Sequence, residues 1–167
     1  MADNPDETLD RGGRLWSWLP TLLLVAAAGY QASLFGRLPA EVPMHFDLHG
    51  QPNGVGPKGS LWIVVVMALV FDGLLAFTGR LGDFAPQLLN LPVKLTDENR
   101  GRVLGVYRGM IRAMRLEIDA FMALMIVASA RAALDLSLSV PMAAVGVFVG
   151  VLLATVVGYA VALKRAG

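Results

Sequence analysis

The chain has 167 residues, of which 56% are hydrophobic and only 16% charged, with a formal net charge of +1. Soluble domains are roughly 45–50% apolar and about 25% charged, so a water-soluble fold of this length could not hide so much apolar surface, and the near-neutral balance gives no electrostatic basis for binding nucleic acid. The absence of cysteine excludes disulfides, thiolate metal sites and cysteine nucleophiles.

Residues 1–14 are polar and of mixed charge, with Pro5, Gly12 and Gly13, and predict a disordered tail. Leu15 to Phe35 then runs for 21 positions without a charge, roughly 31 Å of helix and enough to cross a bilayer core. Ala26-Ala27-Ala28 would suit a signal-peptide cleavage site. However, Asp3, Asp6, Glu7 and Asp10 outnumber Arg11 and Arg14 before it and the apolar run continues past it, so a retained span is expected. Segment 36–59 carries Pro39, Pro43, Pro52 and Pro57 with five glycines. It predicts an irregular, Pro/Gly-rich but ordered loop, with a short extended piece from Pro43 to Asp47 and a turn at Pro52-Asn53-Gly54.

Ser60 is the expected cap of a second span, about 61–81, with Asp72 in its interior. Residues 82–96 form a second loop. Thr96 or Asp97 is the expected N-cap of a long third helix ending near 134. Its first half is an amphipathic helix bearing Arg100, Arg102, Arg108, Arg112 and Arg115. Its second half, about 116–134, crosses the membrane if Glu117, Asp119 and Arg131 reach the interfaces by snorkelling. A fourth span, about 140–163, ends at Lys164 and Arg165. The fold class is an all-α integral membrane bundle of four transmembrane helices, a single membrane domain over 15–167.

Basic residues set the orientation. Eleven of the 14 lysines and arginines fall in the tail, in segment 80–115 and at the C-terminus, and three fall near the other two connections. That bias predicts a multi-pass membrane protein with both termini cytoplasmic and loop 36–59 outside.

Small residues recur every fourth position at Gly146, Gly150, Ala154 and Gly158, and again at Ala28, Ala32 and Gly36. Such stripes let helix backbones approach closely. They predict packing within the bundle, with a homo-oligomer interface as the alternative. A third set, Gly101, Gly105 and Gly109, lies in the amphipathic segment, where close packing would offset its helix cost, or the segment is mobile.

Three groups of residues are candidates for function. Arg108, Arg112 and Arg115 would face anionic headgroups or a cytoplasmic protein partner, or merely enforce topology. Asp72, alone inside a span, is either a proton or cation relay or a buried hydrogen-bond partner to the third helix or a tyrosine. Arg115 and Asp119, spaced i and i+4, predict an ion pair on a helix surface. In the loop, His45, Asp47 and His49 share one face if that piece is extended and could then hold Zn²⁺. Alternatively, Asp47 accepts backbone N–H bonds from the turn at Gly50. No motif for nucleophilic or metal-dependent hydrolysis is present, and no cofactor is expected.

The string Pro43-Met44-His45-Phe46-Asp47-Leu48-His49-Gly50-Gln51-Pro52-Asn53, followed by Lys58, resembles a bacterial membrane family called domain of unknown function 1648. The family pattern is a proline, then His-Phe-Asn/Asp, then Gly-x-Pro-Asp/Asn and a basic residue. The usual aromatic before that basic residue is missing here, and His49 lies outside the pattern. The resemblance covers about sixteen residues and the flanking helices. It implies kinship with the N-terminal part of SdpI-type immunity proteins, which protect a cell from a secreted peptide toxin and can recruit a repressor to the membrane. That kinship implies a non-enzymatic role in immunity, signalling or envelope sensing, with a peptide ligand on the outer face. The alternatives from the residues themselves are a small ion- or proton-coupled transport component using Asp72, and a metal-dependent membrane enzyme at His45, Asp47 and His49. A further alternative is that the loop motif only folds a compact cap, with His45 and Lys58 bonding to carbonyls or headgroups.

Overall fold

A computed structural model describes residues 5–136 and 138–167, with side chains described from Ser17 onward. The order is α1 (Pro5–Phe35), β1 (Glu41–Phe46), β2 (Pro52–Pro57), α2 (Leu61–Phe84), α3 (Arg100–Leu134) and α4 (Met142–Ala166). Short 3-10 turns at Lys58–Ser60 and Pro86–Leu88 precede and follow α2. Among the described residues, three segments are long and apolar enough to cross a membrane: Ser17–Phe35, Lys58–Phe84 and Met142–Ala166. α3, with charges along its length, is not among them.

α3 is the centre of the molecule and packs on α1, α2 and α4. The core nearer the hairpin joins Leu24 and Ala27 of α1, Val65 and Ala68 of α2 and Ile126 of α3. The core at the opposite end joins Val103, Tyr107 and Ile111 of α3 to Leu163 and Ala166 of α4, and the α2–α3 connection wraps it with Leu89, Leu91, Val93 and Leu95. Elsewhere Leu22, Ile63, Val66, Val70, Phe71, Val147 and Leu153 point outward and are more than half exposed. Such a girdle of large apolar side chains suits lipid rather than water as the surrounding solvent.

Several expectations are corrected. Residues 5–14 are helical and continuous with α1, where a disordered tail was expected. Pro5 stands at the first helical position, where its fixed φ suits a helix start. Residues 1–4 lie outside the described residues. Segment 36–59 is a β-hairpin, not an irregular loop: Glu41 pairs with Pro57, Val42 with Gly56, Pro43 with Val55, and Phe46 with Pro52. Irregularities on either side of His45 accommodate the prolines, which supply no ladder donor. Consequently Pro52, Asn53 and Gly54 lie in β2 and the chain reverses at Asp47–Gly50 instead. Ser60 makes no side-chain cap on α2.

The start of α3 does use the expected chemistry. The Asn99 N–H donates to Thr96 Oγ1 at 3.3 Å, and the Thr96 N–H donates to Asn99 Oδ1 at 2.9 Å. This is a reciprocal capping box with asparagine in the usual glutamate position.

The α4 stripe faces away from the bundle. Gly146, Gly150, Ala154 and Gly158 are not buried, and a Cβ added at any of the three glycines would meet nothing within 4 Å. Bundle packing therefore does not account for it. Gly36, Gly101 and Gly105 are likewise open, whereas Gly109 has a close neighbour, the ring of Tyr159.

Candidate functional sites: the hairpin clamp and the arginine-lined cavity

The hairpin motif holds itself together. Asp47 closes the turn: its Oδ1 accepts the N–H groups of His49 at 2.8 Å and Gln51 at 2.9 Å, and its carbonyl accepts the Gly50 N–H at 2.9 Å. The Gln51 N–H, with a smaller contribution from His49, holds the Asp47 carboxyl below its ordinary value of 3.8. His45 Nδ1 lies 2.5 Å from Asn53 Oδ1 across the strands. Gly50 has a φ of +77°, which only glycine adopts without strain, and its carbonyl accepts the Val140 N–H at 2.9 Å.

Lys58 fastens the other end. Its Nζ donates to the carbonyls of Phe35 at 3.3 Å and Leu38 at 3.4 Å, and lies 4.9 Å from the centre of the Phe35 ring. A cation at the last carbonyls of α1 also complements that helix's dipole. Val42 and Pro43 of β1 are buried, and Val42 packs with Leu38, Leu61 and Ala133. Burying such a valine stabilises by roughly 1.5–3 kcal/mol. Among the described residues no group of three metal-ligating side chains is gathered. His45 is engaged with Asn53, and His49 is exposed, 3.8 Å from Asp47. The alternative of a zinc face at His45, Asp47 and His49 is therefore not formed among the described residues.

The second site lies between α1, α2 and α3, toward the end of the bundle away from the hairpin. Asp72 of α2 and Arg115 of α3 form an ion pair, each buried. Arg115 Nε donates to Asp72 Oδ1 at 2.8 Å, and Arg115 Nη2 reaches the same oxygen. Thr21 of α1 donates its hydroxyl to Asp72 Oδ2 at 2.6 Å and accepts from Arg115 Nη2 at 3.2 Å. Arg115 Nη1 donates to the Ser17 carbonyl at 3.2 Å. One guanidinium thus ties three helices together. Of the two readings open for Asp72, the hydrogen-bonded partner on the third helix is present.

This overturns two expectations for Arg115. It is not on a surface facing headgroups or a partner, and it is not paired with Asp119. The i, i+4 spacing is compatible with that pair, but the guanidinium turns instead to Asp72 on α2 and to Thr21 and the Ser17 carbonyl on α1. Asp119 is fully buried, and neither of its oxygens receives a hydrogen-bond donor. Snorkelling is therefore excluded for it.

Beside the pair opens a cavity of about 790 Å³, lined in part by Trp18, Phe77, Arg80, Asp83, Arg108 and Arg112. Arg108 Nη1 donates to Asp83 Oδ1 at 2.6 Å. Arg112 Nε donates to the Arg108 carbonyl at 3.3 Å. Arg80 and Asp83 were not singled out from the sequence. Their signal was a basic and an acidic residue one helical turn apart at the end of an otherwise apolar span.

No curated protein and no solved structure matches this chain. One family model does match, over the end of α1, the whole hairpin and the first part of α2, the segment whose side chains build the clamp. Residues 22–69 match the model of a family described as domain of unknown function (DUF1648).

Proposed function

We propose that this protein is a non-enzymatic, multi-pass protein of a bacterial cytoplasmic membrane that acts by recognition through its hairpin, in the manner of SdpI-type immunity or signalling proteins. In this reading both termini are cytoplasmic, α3 is a fourth span carried across by its neighbours, and the hairpin faces outward. The asymmetry of lysine and arginine supports that orientation.

One observation carries the proposal. The polar motif residues His45, Asp47, Asn53 and Lys58 are engaged in holding the hairpin, while Met44, Leu48 and Val55 are exposed, Leu48 at 87%. A rigid support that offers apolar side chains, with its polar groups already engaged, is built for contact rather than chemistry. An amphipathic peptide supplies a matching apolar face.

Cation relay through Asp72 is a weaker fit. Its carboxylate is held by Arg115 and Thr21, and its approach is lined by further arginines, which raise an electrostatic barrier to cations.

The test is survival of cells producing the chain when challenged with membrane-active peptides. Protection is expected from the native chain and is lost with the Leu48→Asp, Val55→Asp double variant at equal membrane level. Protection indifferent to that variant, or absent throughout a broad peptide panel, counts against the reading. A reporter fused after Arg165 should be active on the cytoplasmic side, and a tag near Asn53 should be reachable from outside.

A further inference from the structure

We propose that the cavity between α1, α2 and α3 binds the phosphate group of an acidic phospholipid, with the acyl part leaving along Trp18 and Phe77. The inference rests on the membrane orientation proposed above but not on the hairpin's role.

Charge makes the first argument. Four arginines line the cavity, Arg80, Arg108, Arg112 and Arg115, against two carboxylates, Asp72 and Asp83. Both carboxylates are taken: Asp72 by Arg115 and Asp83 by Arg108. No carboxylate among the described residues pairs with Arg80 or Arg112. Among the described residues the cavity therefore presents an excess of two guanidinium groups, whose planar forks match the oxygens of a phosphate. Asp72 and Thr21 keep Arg115 oriented at the floor.

The walls make the second argument. Trp18 and Phe77 are 59% and 55% exposed, although both line the cavity. They give the guanidinium groups an apolar flank along which an acyl chain can lie, a wall that a soluble phosphate ester would not use. Tryptophan at headgroup depth is a common anchor of membrane helices. The volume lies within the usual range for small-molecule sites, about 300–1,000 Å³, and is far larger than a phosphate alone requires. Basic pockets between membrane helices on the cytoplasmic side are a recognised setting for acidic headgroups. In the orientation proposed above, this cavity opens on that side.

The experiment is native mass spectrometry of the delipidated full chain in neutral detergent. Probes are phosphatidylglycerol, phosphatidylcholine, glycerol 3-phosphate and oleate. A one-to-one adduct with phosphatidylglycerol is expected, at least about tenfold tighter than with phosphatidylcholine. About tenfold should be lost for each of Arg80→Gln and Arg112→Gln, as for loss of one charge-assisted contact. Neither arginine is in an ion pair among the described residues, and an unchanged melting temperature should confirm that both variants fold. Arg131→Gln, on the exposed part of α3 beyond the apolar core, should bind like the native chain. Equal retention of phosphatidylcholine, or insensitivity to both substitutions, overturns the proposal. So does glycerol 3-phosphate binding as tightly as the lipid, which would make the ligand a soluble phosphate ester. Oleate binding as tightly as phosphatidylglycerol would replace phosphate by carboxylate and also overturns it.

Discussion

Gly50 and Val140 are ninety positions apart, yet the turn of the hairpin and the approach to α4 meet at these two residues. The Val140 N–H donates to the Gly50 carbonyl at 2.9 Å, and a Cβ added to Gly50 would lie 2.0 Å from the Val140 carbonyl oxygen. The left-handed φ of Gly50 and the lack of a side chain are thus both required. Gly50→Ala should cost about 1–2 kcal/mol for the backbone conformation alone, and more for the displaced connection. The measurement is thermal unfolding in detergent, with proteolysis of the 134–141 connection as a second readout. A melting temperature within about a degree of native, with no new cleavage, would mean that the contact is dispensable.

The Asp72–Arg115 pair should behave as a buried unit. Truncating either partner leaves an uncompensated charge away from water, at a cost of about 3–5 kcal/mol. Asp72→Asn and Arg115→Gln should therefore each destabilise strongly, while the double variant should lose much less than the sum. A double-mutant cycle on unfolding free energies checks this. Additive losses would show that the two side chains are stabilised independently.

Asp47 makes the hairpin sensitive to acid. Its carboxyl is held below 3.8 mainly by the Gln51 N–H, assisted by His49. A depressed folded value contributes stability above the unfolded value, and that stability is lost as pH falls through the folded one. Amide exchange at His49 and Gln51, corrected for intrinsic rates, should therefore show pH-independent protection from neutrality down to about pH 5, and progressive loss of protection below about pH 4. Asp47→Asn retains an acceptor oxygen but cannot titrate, so it should keep the turn and abolish the acid step. An acid step that survives in that variant would place its origin elsewhere.

The boundaries of the apolar spans could be read from the chain because burial in lipid imposes a length and forbids charge, and both are local properties. The same holds for the Thr96–Asn99 cap, which lies within four residues, and for Asp47, whose preference for turn N–H groups is intrinsic. The hairpin was less legible. Prolines and glycines argued against strands, yet Pro43 and Pro52 sit at irregular or terminal positions where the ladder needs no N–H from them. The partner of Arg115 was legible only from the other side, as an unnamed third-helix partner for Asp72. Asp119 is its neighbour in sequence, whereas Asp72 is 43 positions away, and only the packing of α2 on α3 decides between them. The α4 stripe misled for a related reason. Spacing shows that small residues share a face but not what the face meets.

That last point separates two glycines of similar appearance. A Cβ at Gly79 in α2 would approach Ile111 Cγ2 to 3.2 Å, and Ile111 is buried within the core formed with Val103, Tyr107 and Leu163. Gly79→Ala should therefore lower stability, by about 1–3 kcal/mol if the core cannot yield. Gly150→Ala in α4 meets nothing within 4 Å and removes a poor helix former, worth up to about 1 kcal/mol in favour of the folded chain. The two variants should thus shift the melting temperature in opposite directions when measured on the monomer in dilute detergent. If Gly150→Ala instead destabilises as much as Gly79→Ala, the outward face of α4 is packed against something in solution, and light scattering on the same sample would report its mass.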